Sequence, residues 1–339
     1  MSSQATTSIA AMASSFLASV KILTNTQPCA AAGLLALGSF TVASTLVAWT
    51  SVFLRIFVRP GINLKKFGAK KGAWAVVTGA SDGIGREFSL QLAKAGFNVL
   101  LAARNGEKLA AVAQEIDGKS GSAVQTKTFA IDFAHADDAT YEQFQSTLKD
   151  LDIGILVNNV GKSHEMPTDF IDTPAEEMND ILAINVNATL RVTSFVAPGM
   201  ASRHRGLILN IGSFAGSAPS PMLATYSASK AFLVTFSEAL AAELKPKGVV
   251  VELANTYFVV SSMSKIRRAS AMVPTPAAYV RSVLRKIAPG TQTPFWSHAL
   301  LDYVMQIAPA SIVQAYTHAL HVDIRKRALR KKEREAKKN

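Results

Sequence analysis

Tyr226 and Lys230, at the two ends of the run Tyr226-Ser227-Ala228-Ser229-Lys230, are the residues whose types and spacing point most directly to chemistry. Four residues apart on a helix, their side chains would project from the same face. A phenol has an ordinary pKa of about 10, and a nearby ammonium favours the phenolate. The sequence therefore predicts that Lys230 lowers the pKa of Tyr226 and makes it a usable general acid. Such pairs are also common on solvated helix faces, so the prediction depends on the rest of the chain.

A glycine-rich loop far upstream of this pair offers a place for a phosphate-containing cofactor. An apolar run at 73–77 predicts a strand, the stretch 86–94 predicts a helix, and the residues between them read TGASDGIG. The glycines Gly79, Gly83 and Gly85 would let the backbone approach a diphosphate at the positive end of the helix. The spacing differs from GxGxxG but fits a variant of that loop, and an ordinary turn is the alternative.

Three further apolar runs predict strands that each end in a polar side chain. The run 97–103 ends at Arg104, 127–131 leads to Asp132, and 153–157 leads to Asn158-Asn159-Val160-Gly161. An acidic residue after the second strand would suit NAD, whereas Arg104 suits the extra phosphate of NADP, so NADPH is the predicted cofactor. Asp132 could accept a hydrogen bond from an adenine amine. An ordinary exposed arginine is the alternative for Arg104.

Apolar runs that alternate with helical stretches predict an α/β fold, a doubly wound parallel sheet of the Rossmann type. The predicted fold also includes an N-terminal transmembrane helix and a membrane-associated C-terminal helical extension. The predicted organisation is a disordered segment 1–29, an anchor 30–58, an NADP-binding catalytic domain 72–270, the helical extension 271–324 and a basic tail 325–339.

The anchor is predicted from a stretch without charges and from the distribution of the basic residues. No charged residue lies between Lys21 and Arg55, and about 20 apolar residues suffice to span a bilayer. Of the net charge of +12, residues 1–71 carry +7 and 325–339 carry +7, which leaves −2 for the centre. Basic flanks around a near-neutral body suit an anionic membrane surface and do not indicate nucleic-acid binding. A cleaved signal peptide is the rival, but the apolar run is long and begins far from Met1.

The basic residues after the anchor also predict its orientation. Six of them follow within Arg55–Lys71 and only Lys21 precedes, so the catalytic domain is expected in the cytosol. The apolar stretch 299–320 contains Asp302, which is costly in lipid, so contact with the membrane surface is favoured over spanning. A lid on the acyl site and a core helix are the alternatives. The terminal Lys337-Lys338-Asn339 is similar to a dilysine retrieval signal, with its lysines one place too close to the end.

Taken together, the motifs resemble the short-chain dehydrogenase/reductase family. TGxxxGxG at 78–85, NNVG at 158–161 and YSASK at 226–230 have that family's order and approximate spacing over roughly residues 72–265. The resemblance implies that Tyr226 is the proton donor and that Lys230 lowers the pKa of Tyr226 and binds the nicotinamide ribose. It implies further that Ser213 orients the substrate carbonyl and that Asn185 helps to hold a proton-relay water. It also implies a set of cofactor contacts and no metal: Val76, Gly79, Ser81, Gly83, Ile84, Gly85, Arg104, Asp132, Asn159, Tyr226, Lys230, Val259 and Ser261. One departure is that Thr256-Tyr257 replaces the family's usual Pro-Gly after the strand 249–253.

Within that family, the stretches 262–270 and 273–276 are similar to a membrane-bound fungal branch, the very-long-chain 3-oxoacyl-CoA reductases of fatty-acid elongation. The resemblance implies a long-chain 3-oxoacyl-CoA substrate, the endoplasmic reticulum membrane and other enzymes of the elongation complex as partners. Lys265, Arg267 and Arg268 could contact CoA phosphates, or equally lipid headgroups or water. Three alternatives stay open: a hydroxysteroid reductase, a 3-ketosphinganine reductase and a catalytically silent membrane scaffold.

Overall fold

The structure is a computed structural model that describes residues 14–15, 18–22, 24–120 and 123–337. It divides into an N-terminal unit that ends at Arg59 and a body that begins at Pro60. In the N-terminal unit, helix α1 (Pro28–Phe53) continues as one π-helical turn, Leu54–Val58. This stretch of 31 residues is apolar enough to cross a membrane and would be about 46 Å long at 1.5 Å per residue. Most of the predicted disordered segment 1–29 lies outside the described residues.

The body is built on a sheet in which every strand is parallel to its neighbours. Its order is β3-β2-β1-β4-β5-β6-β7, so the direction of winding reverses between β1 and β4. Open sheets of this kind bind ligands outside the carboxyl ends of the strands, at the point of reversal. The predicted doubly wound sheet is thus confirmed. The strands are β1 (Trp74–Thr78), β2 (Asn98–Ala103), β3 (Thr126–Ala130), β4 (Ile153–Asn158), β5 (Gly206–Ile211), β6 (Val249–Ala254) and β7 (Gly290–Gln292).

Helices cover both faces of the sheet, which explains why the strands are apolar without alternation. Along β1, Ala75 and Val77 enter one core, whereas Trp74 and Val76 enter the other. The first core includes side chains of α2, α3 and α9, and the second includes side chains of α4, α6 and α8. The helices of the body are α2 (Gly83–Lys94), α3 (Gly106–Ser120), α4 (Asp138–Lys149), α5 (Ala175–Leu182), α6 (Ala188–Ser202), α7 (Phe214–Ser217), α8 (Ala224–Leu244), α9 (Pro276–Arg285), α10 (Trp296–Ile307) and α11 (Ala310–Ala336).

The C-terminal part of the body is more closely joined to the sheet than its sequence suggested. Strand β7 pairs with β6, and Tyr279, Val280 and Val283 of α9 are fully buried in the first core. A boundary at residue 270 would therefore cut through both the sheet and its core. Sequence patterns missed β7 because three residues are too few to show a period.

Residues 299–320 form most of α10 and the start of α11, with a break at Ala308 and Pro309. Tyr303 and Val313 are buried in the body, whereas Ile307 and Ile312 are exposed. Among the described residues only Pro28–Val58 and Ala175–Ser202 are long and apolar enough to be candidate spans, and the second of these contains α6, a core helix. Contact of residues 299–320 with a membrane surface stays a prediction.

Candidate active site

Tyr226 and Lys230 lie in the first two turns of α8, as predicted, and both point into the body near the carboxyl ends of the strands. The Lys230 side chain is buried, and its Nζ donates a hydrogen bond of 3.0 Å to the carbonyl oxygen of Ile211 at the end of β5. The same Nζ lies 5.9 Å from the centroid of the Tyr226 ring. Helical spacing and one backbone contact therefore hold the pair together.

Burial dominates the electrostatics of the pair. Burial raises the pKa of Tyr226, and a hydrogen bond with Ser213 opposes that rise. Burial lowers the pKa of Lys230 to about 8. Desolvation of the phenol dominates in this geometry, and Lys230 is not among the groups that shift the pKa of Tyr226, so its lowering of that pKa stays a prediction. A phenol with a raised pKa stays protonated at neutral pH, which is the form that a proton donor needs.

Ser213 reaches Tyr226 because the segment after β5 packs tightly against α8. Its Oγ accepts a hydrogen bond from the backbone N–H of Ala215 and so caps the short helix α7. Gly216 makes this packing possible, since a Cβ there would lie 2.5 Å from the carbonyl oxygen of Lys230. Ser227 fixes the same segment from the helix side, because its Oγ donates to the carbonyl of Ala215 at 2.5 Å. Sequence reasoning missed Gly216 and Ser227, although Ser227 lies within the YSASK motif.

Asn185 lies in a π-helical turn, Ala183–Asn187, between α5 and α6. Its buried side chain donates 2.9 Å hydrogen bonds to the carbonyl of Lys162 and to Oγ of Ser229, and accepts one of 2.8 Å from the N–H of Lys162. Such π-turns often mark functional sites because the extra residue redirects a side chain. Asn185 therefore joins the segment after β4 to the catalytic helix. Its role in holding a water stays a prediction.

The glycine-rich loop has the shape that a dinucleotide requires. Gly79 and Gly83 have φ values of +68° and +55°, which other residues adopt only with strain. A Cβ on Gly85 would lie 2.1 Å from the carbonyl oxygen of Gly79, so the first turn of α2 rests directly on the loop. Asp82 caps α2 by accepting from the N–H of Gly83 at 2.7 Å, and Ser81 and Ile84 are half-buried beside it. The loop therefore presents backbone N–H groups and the positive end of α2 at the carboxyl edge of the sheet, which fits a diphosphate.

Two of the implied cofactor contacts have structural roles in the sheet. Val76 is fully buried in the second core, in register with Leu100 and Leu156, so it presents no surface to a cofactor. That assignment is corrected, because Val76 lies in the middle of β1 rather than at its end. Asn159 donates from Nδ2 to the carbonyl of Thr78 at 2.9 Å, and its own N–H donates to the Thr78 hydroxyl at 3.0 Å. Asn159 thus ties the end of β4 to the glycine-rich loop.

Arg104 and Asp132 follow neighbouring strands and lie beside each other at the same edge. The Arg104 side chain is 80% exposed, and its Nη1 lies 4.0 Å from Oδ2 of Asp132. The other oxygen of Asp132 accepts from the N–H of Ala134 at 3.1 Å. An exposed guanidinium at the end of β2 is available to a phosphate, and Asp132 is held in place beside it.

The segment after β6 closes over the glycine-rich loop without the proline turn that the family usually has. The side chain of Val259 is buried in the first core, whereas Ser261 is half-buried, with its Cβ 3.5 Å from where a Cβ of Gly83 would lie. His298 of α10 holds this segment through two hydrogen bonds to its backbone. It accepts from the N–H of Tyr257 at 3.4 Å, and its Nε2 pairs with the carbonyl of Met272 at 3.1 Å.

Burial lowers the pKa of His298 to about 4, so its ring is neutral and can donate and accept at once. The aromatic rings of Phe214, Tyr257, Tyr279 and Phe295 surround it. Sequence reasoning did not single out His298, because nothing near it in the chain signals that α10 packs under the loop.

A parallel sheet that brings a tyrosine, a lysine, a serine and a glycine-rich loop to its carboxyl edge is the architecture of a nicotinamide-dependent oxidoreductase. The short chain dehydrogenase family model matches residues 73–271, and the chain belongs to this family. It therefore uses a nicotinamide cofactor.

The relatives are similar over almost the whole chain. A protein from Coprinopsis cinerea named very-long-chain 3-oxoacyl-CoA reductase is 61% identical over 322 residues, which cover 92% of this chain and 94% of the relative. A protein of the same name from Laccaria bicolor is 60% identical, with coverage of 93% and 96%. Among solved structures, a short-chain dehydrogenase from Sphingobium yanoikuyae in complex with NADPH is 27% identical, with a TM-score of 0.59 over 69% of this chain and 94% of that one.

Proposed function

We propose that this chain reduces very-long-chain 3-oxoacyl-CoA to 3-hydroxyacyl-CoA with NADPH, as one step of microsomal fatty-acid elongation. The observation that carries the chemistry is the half-buried Tyr226 side chain, whose hydroxyl is paired with Ser213 and which lies one helical turn from Lys230. Similarity at 61% identity to a protein named for this reaction supports the substrate. Catalytic activity is also favoured over a silent scaffold, because the tyrosine, lysine and serine are all present and lie together.

The residues have complementary tasks in this reaction. When bound, the cofactor supplies a hydride to the carbonyl carbon C3 of the substrate. The Ser213 hydroxyl donates a hydrogen bond to the carbonyl oxygen and so orients it, while Tyr226 transfers its phenolic proton to that oxygen as negative charge develops. The pKa of Lys230, about 8, keeps its ammonium mainly charged at neutral pH. That charge stabilises the phenolate that Tyr226 leaves behind.

NADPH is proposed over NADH because of the charge at the end of β2. Arg104 is exposed there. The neighbouring acid, Asp132, follows β3 rather than β2, and its carboxylate lies 4.0 Å from the Arg104 guanidinium. A guanidinium can bind the 2′-phosphate of NADPH through two parallel hydrogen bonds. We assign Arg104 to that phosphate.

Helix α1 is proposed to hold the enzyme on the endoplasmic reticulum membrane, with the body in the cytosol beside the other elongation enzymes. The large apolar side chains of α1 are exposed, which suits contact with lipid. Extraction of microsomes with alkaline carbonate should leave the full chain in the membrane fraction. Release of the full chain into the soluble fraction would contradict the anchor.

The reaction is tested with the purified full chain and a panel of substrates: long-chain 3-oxoacyl-CoA, 3-ketosphinganine and an oxosteroid. We expect NADPH oxidation to be fastest with the acyl-CoA. Tyr226→Phe should abolish that oxidation while NADPH binding, followed by fluorescence, is retained. Tyr141→Phe, which changes a buried tyrosine of α4 in the second core, is the matched control and should keep full activity. Activity in Tyr226→Phe would refute the mechanism, and preference for the steroid or the sphingoid ketone would refute the substrate.

A further inference from the structure

The basic tail is part of a helix that lies on the body rather than a free arm. Within α11, Nδ1 of His321 pairs with the carbonyl of Pro221 at 2.7 Å, and Nη1 of Arg325 donates to the carbonyl of Pro167 at 2.8 Å. Pro221 precedes the catalytic helix α8 and Pro167 follows β4. The helix α11 therefore contacts two segments that flank the active site.

A third contact brings the end of α11 to the segment after β6. Nζ of Lys332 forms an ion pair of 2.9 Å with Glu165, and Nζ of Lys265 donates to the Glu165 carbonyl at 2.7 Å. The neighbouring Lys332 and, to a smaller extent, Lys265 lower the pKa of the Glu165 carboxyl. These contacts join α11, the segment after β4 and the segment after β6 through Lys332, Glu165 and Lys265, and these three joined segments are called the rim below.

A cleft of about 950 Å³ opens beside this rim, at the first turn of α2. Its walls include Gly83 of the glycine-rich loop, Ser261 and Arg267 after β6, and Lys331 of α11. Concave sites for small molecules have volumes of about 300–1,000 Å³, so the cleft has the size of a ligand site.

Most of the charged groups that line the cleft are already occupied by protein partners. Arg86 forms an ion pair with Glu115, and Asp82 caps α2. By contrast, Arg267 is exposed and has no ion pair among the residues that the structure describes, and Lys331 has only Glu335 of its own helix at 3.6 Å. The cleft thus keeps two positive charges available, one from the segment after β6 and one from α11.

We propose that the part of this cleft lined by Arg267 and Lys331 binds the phosphates of CoA, while its Gly83 wall belongs to the diphosphate site of the glycine-rich loop. This inference rests on the proposed function and assigns a substrate-binding role to the C-terminal basic segment. Lys265 holds the rim by its bond to Glu165 rather than contacting phosphate, and Arg268 is not among the residues that line the cleft.

The test compares two thioesters of the same 3-oxoacyl chain, one with CoA and one with pantetheine, which lacks the nucleotide and its phosphates. The variants Arg267→Ala and Lys331→Ala are made in the full chain, with Arg268→Ala and Arg330→Ala as neighbouring controls. A charged hydrogen bond to phosphate is worth about a tenfold change in affinity or more. We therefore expect each cleft variant to raise KM for the CoA thioester by about tenfold without changing kcat. KM for the pantetheine thioester should not change, and both controls should behave like the unmodified chain.

Free CoA provides a second measurement that needs no turnover. Its binding to the full chain, followed by calorimetry, should weaken by about tenfold in each cleft variant and not in the controls. An unchanged KM for the CoA thioester, or equal changes for the two thioesters, would overturn the assignment of the cleft while leaving the proposed reaction intact. If the variants lose binding to anionic phosphatidylserine vesicles but keep their KM for CoA, the residues contact headgroups and the proposal is wrong. If the unmodified chain reduces neither thioester, the proposed function itself fails.

Discussion

Replacing Lys230 by methionine should make this protein more stable while it destroys activity. Lys230 is 6% exposed, and burial lowers the pKa of its ammonium from 10.5 to about 8. A cation whose pKa is lower in the folded state binds its proton less tightly there than in the unfolded chain. The folded state therefore carries a penalty at neutral pH that methionine, of similar length, does not carry.

The magnitude follows from the two pKa values. A shift of this size corresponds to about 3 kcal/mol at pH 7, at 1.36 kcal/mol for each unit of pKa. Methionine also leaves the carbonyl of Ile211 without its 3.0 Å hydrogen bond, which costs about 1 kcal/mol. The net gain is about 2 kcal/mol, or a rise in Tm of roughly 4–8 °C. Between pH 8 and pH 10.5 the lysine of the folded chain loses its proton before the lysine of the unfolded chain. The stability of the unmodified chain therefore rises with pH in this range. The stability that Lys230→Met gains over the unmodified chain shrinks by about 2 kcal/mol by pH 9.5.

The assay is thermal unfolding of the full chain in detergent, followed by tryptophan fluorescence at pH 7 and pH 9.5. Lys245→Met, at an exposed lysine just beyond the end of α8, is the matched control and should leave Tm unchanged at both pH values. NADPH oxidation is measured on the same samples and should be lost only in Lys230→Met. A lower Tm for Lys230→Met at pH 7, or a gain that does not change with pH, would refute the claim that burial of the ammonium opposes folding.

Three further outcomes are expected. Arg104→Asp should lower the ratio of kcat/KM for NADPH to that for NADH by at least about tenfold, because the charge-assisted hydrogen bonds to the 2′-phosphate are lost, and an unchanged ratio would contradict that contact. In the unmodified chain, kcat/KM measured against pH should decline above about pH 8, where Lys230 loses its charge, and a flat profile to pH 9.5 would count against its role. Gly216→Ala should reduce kcat at least tenfold, because its Cβ would lie 2.5 Å from a backbone oxygen of α8 and would displace Ser213. Gly118→Ala in α3, where nothing lies within 4 Å, is the control and should leave kcat unchanged; equal effects of the two would refute the argument.

The strands and the glycine-rich loop were predictable because their signals are local. A run such as 153–157 is apolar without alternation, and only a strand buried on both faces needs that pattern. Gly79 and Gly83 could be predicted from the same stretch of chain, since their positive φ values are properties of single residues.

Strand β7 and the course of α11 could not be predicted in this way. The three residues of β7 become a strand because β6 offers an unpaired edge beside them. The contacts of the basic tail with Pro167 and Glu165 join residues more than 150 positions apart. No window of sequence contains both partners of such a contact.

The sequence alone determined which groups could do chemistry here: a phenol and an ammonium one helical turn apart, a serine, and a loop that only glycines can form. Tertiary structure decided their chemical state. Burial raises the pKa of Tyr226 and lowers that of Lys230, and the spacing of the two residues along the chain does not reveal either effect. The physical reason is that a pKa depends on the solvent excluded around a group, and α7, α8 and the strand ends exclude that solvent only after the chain has folded.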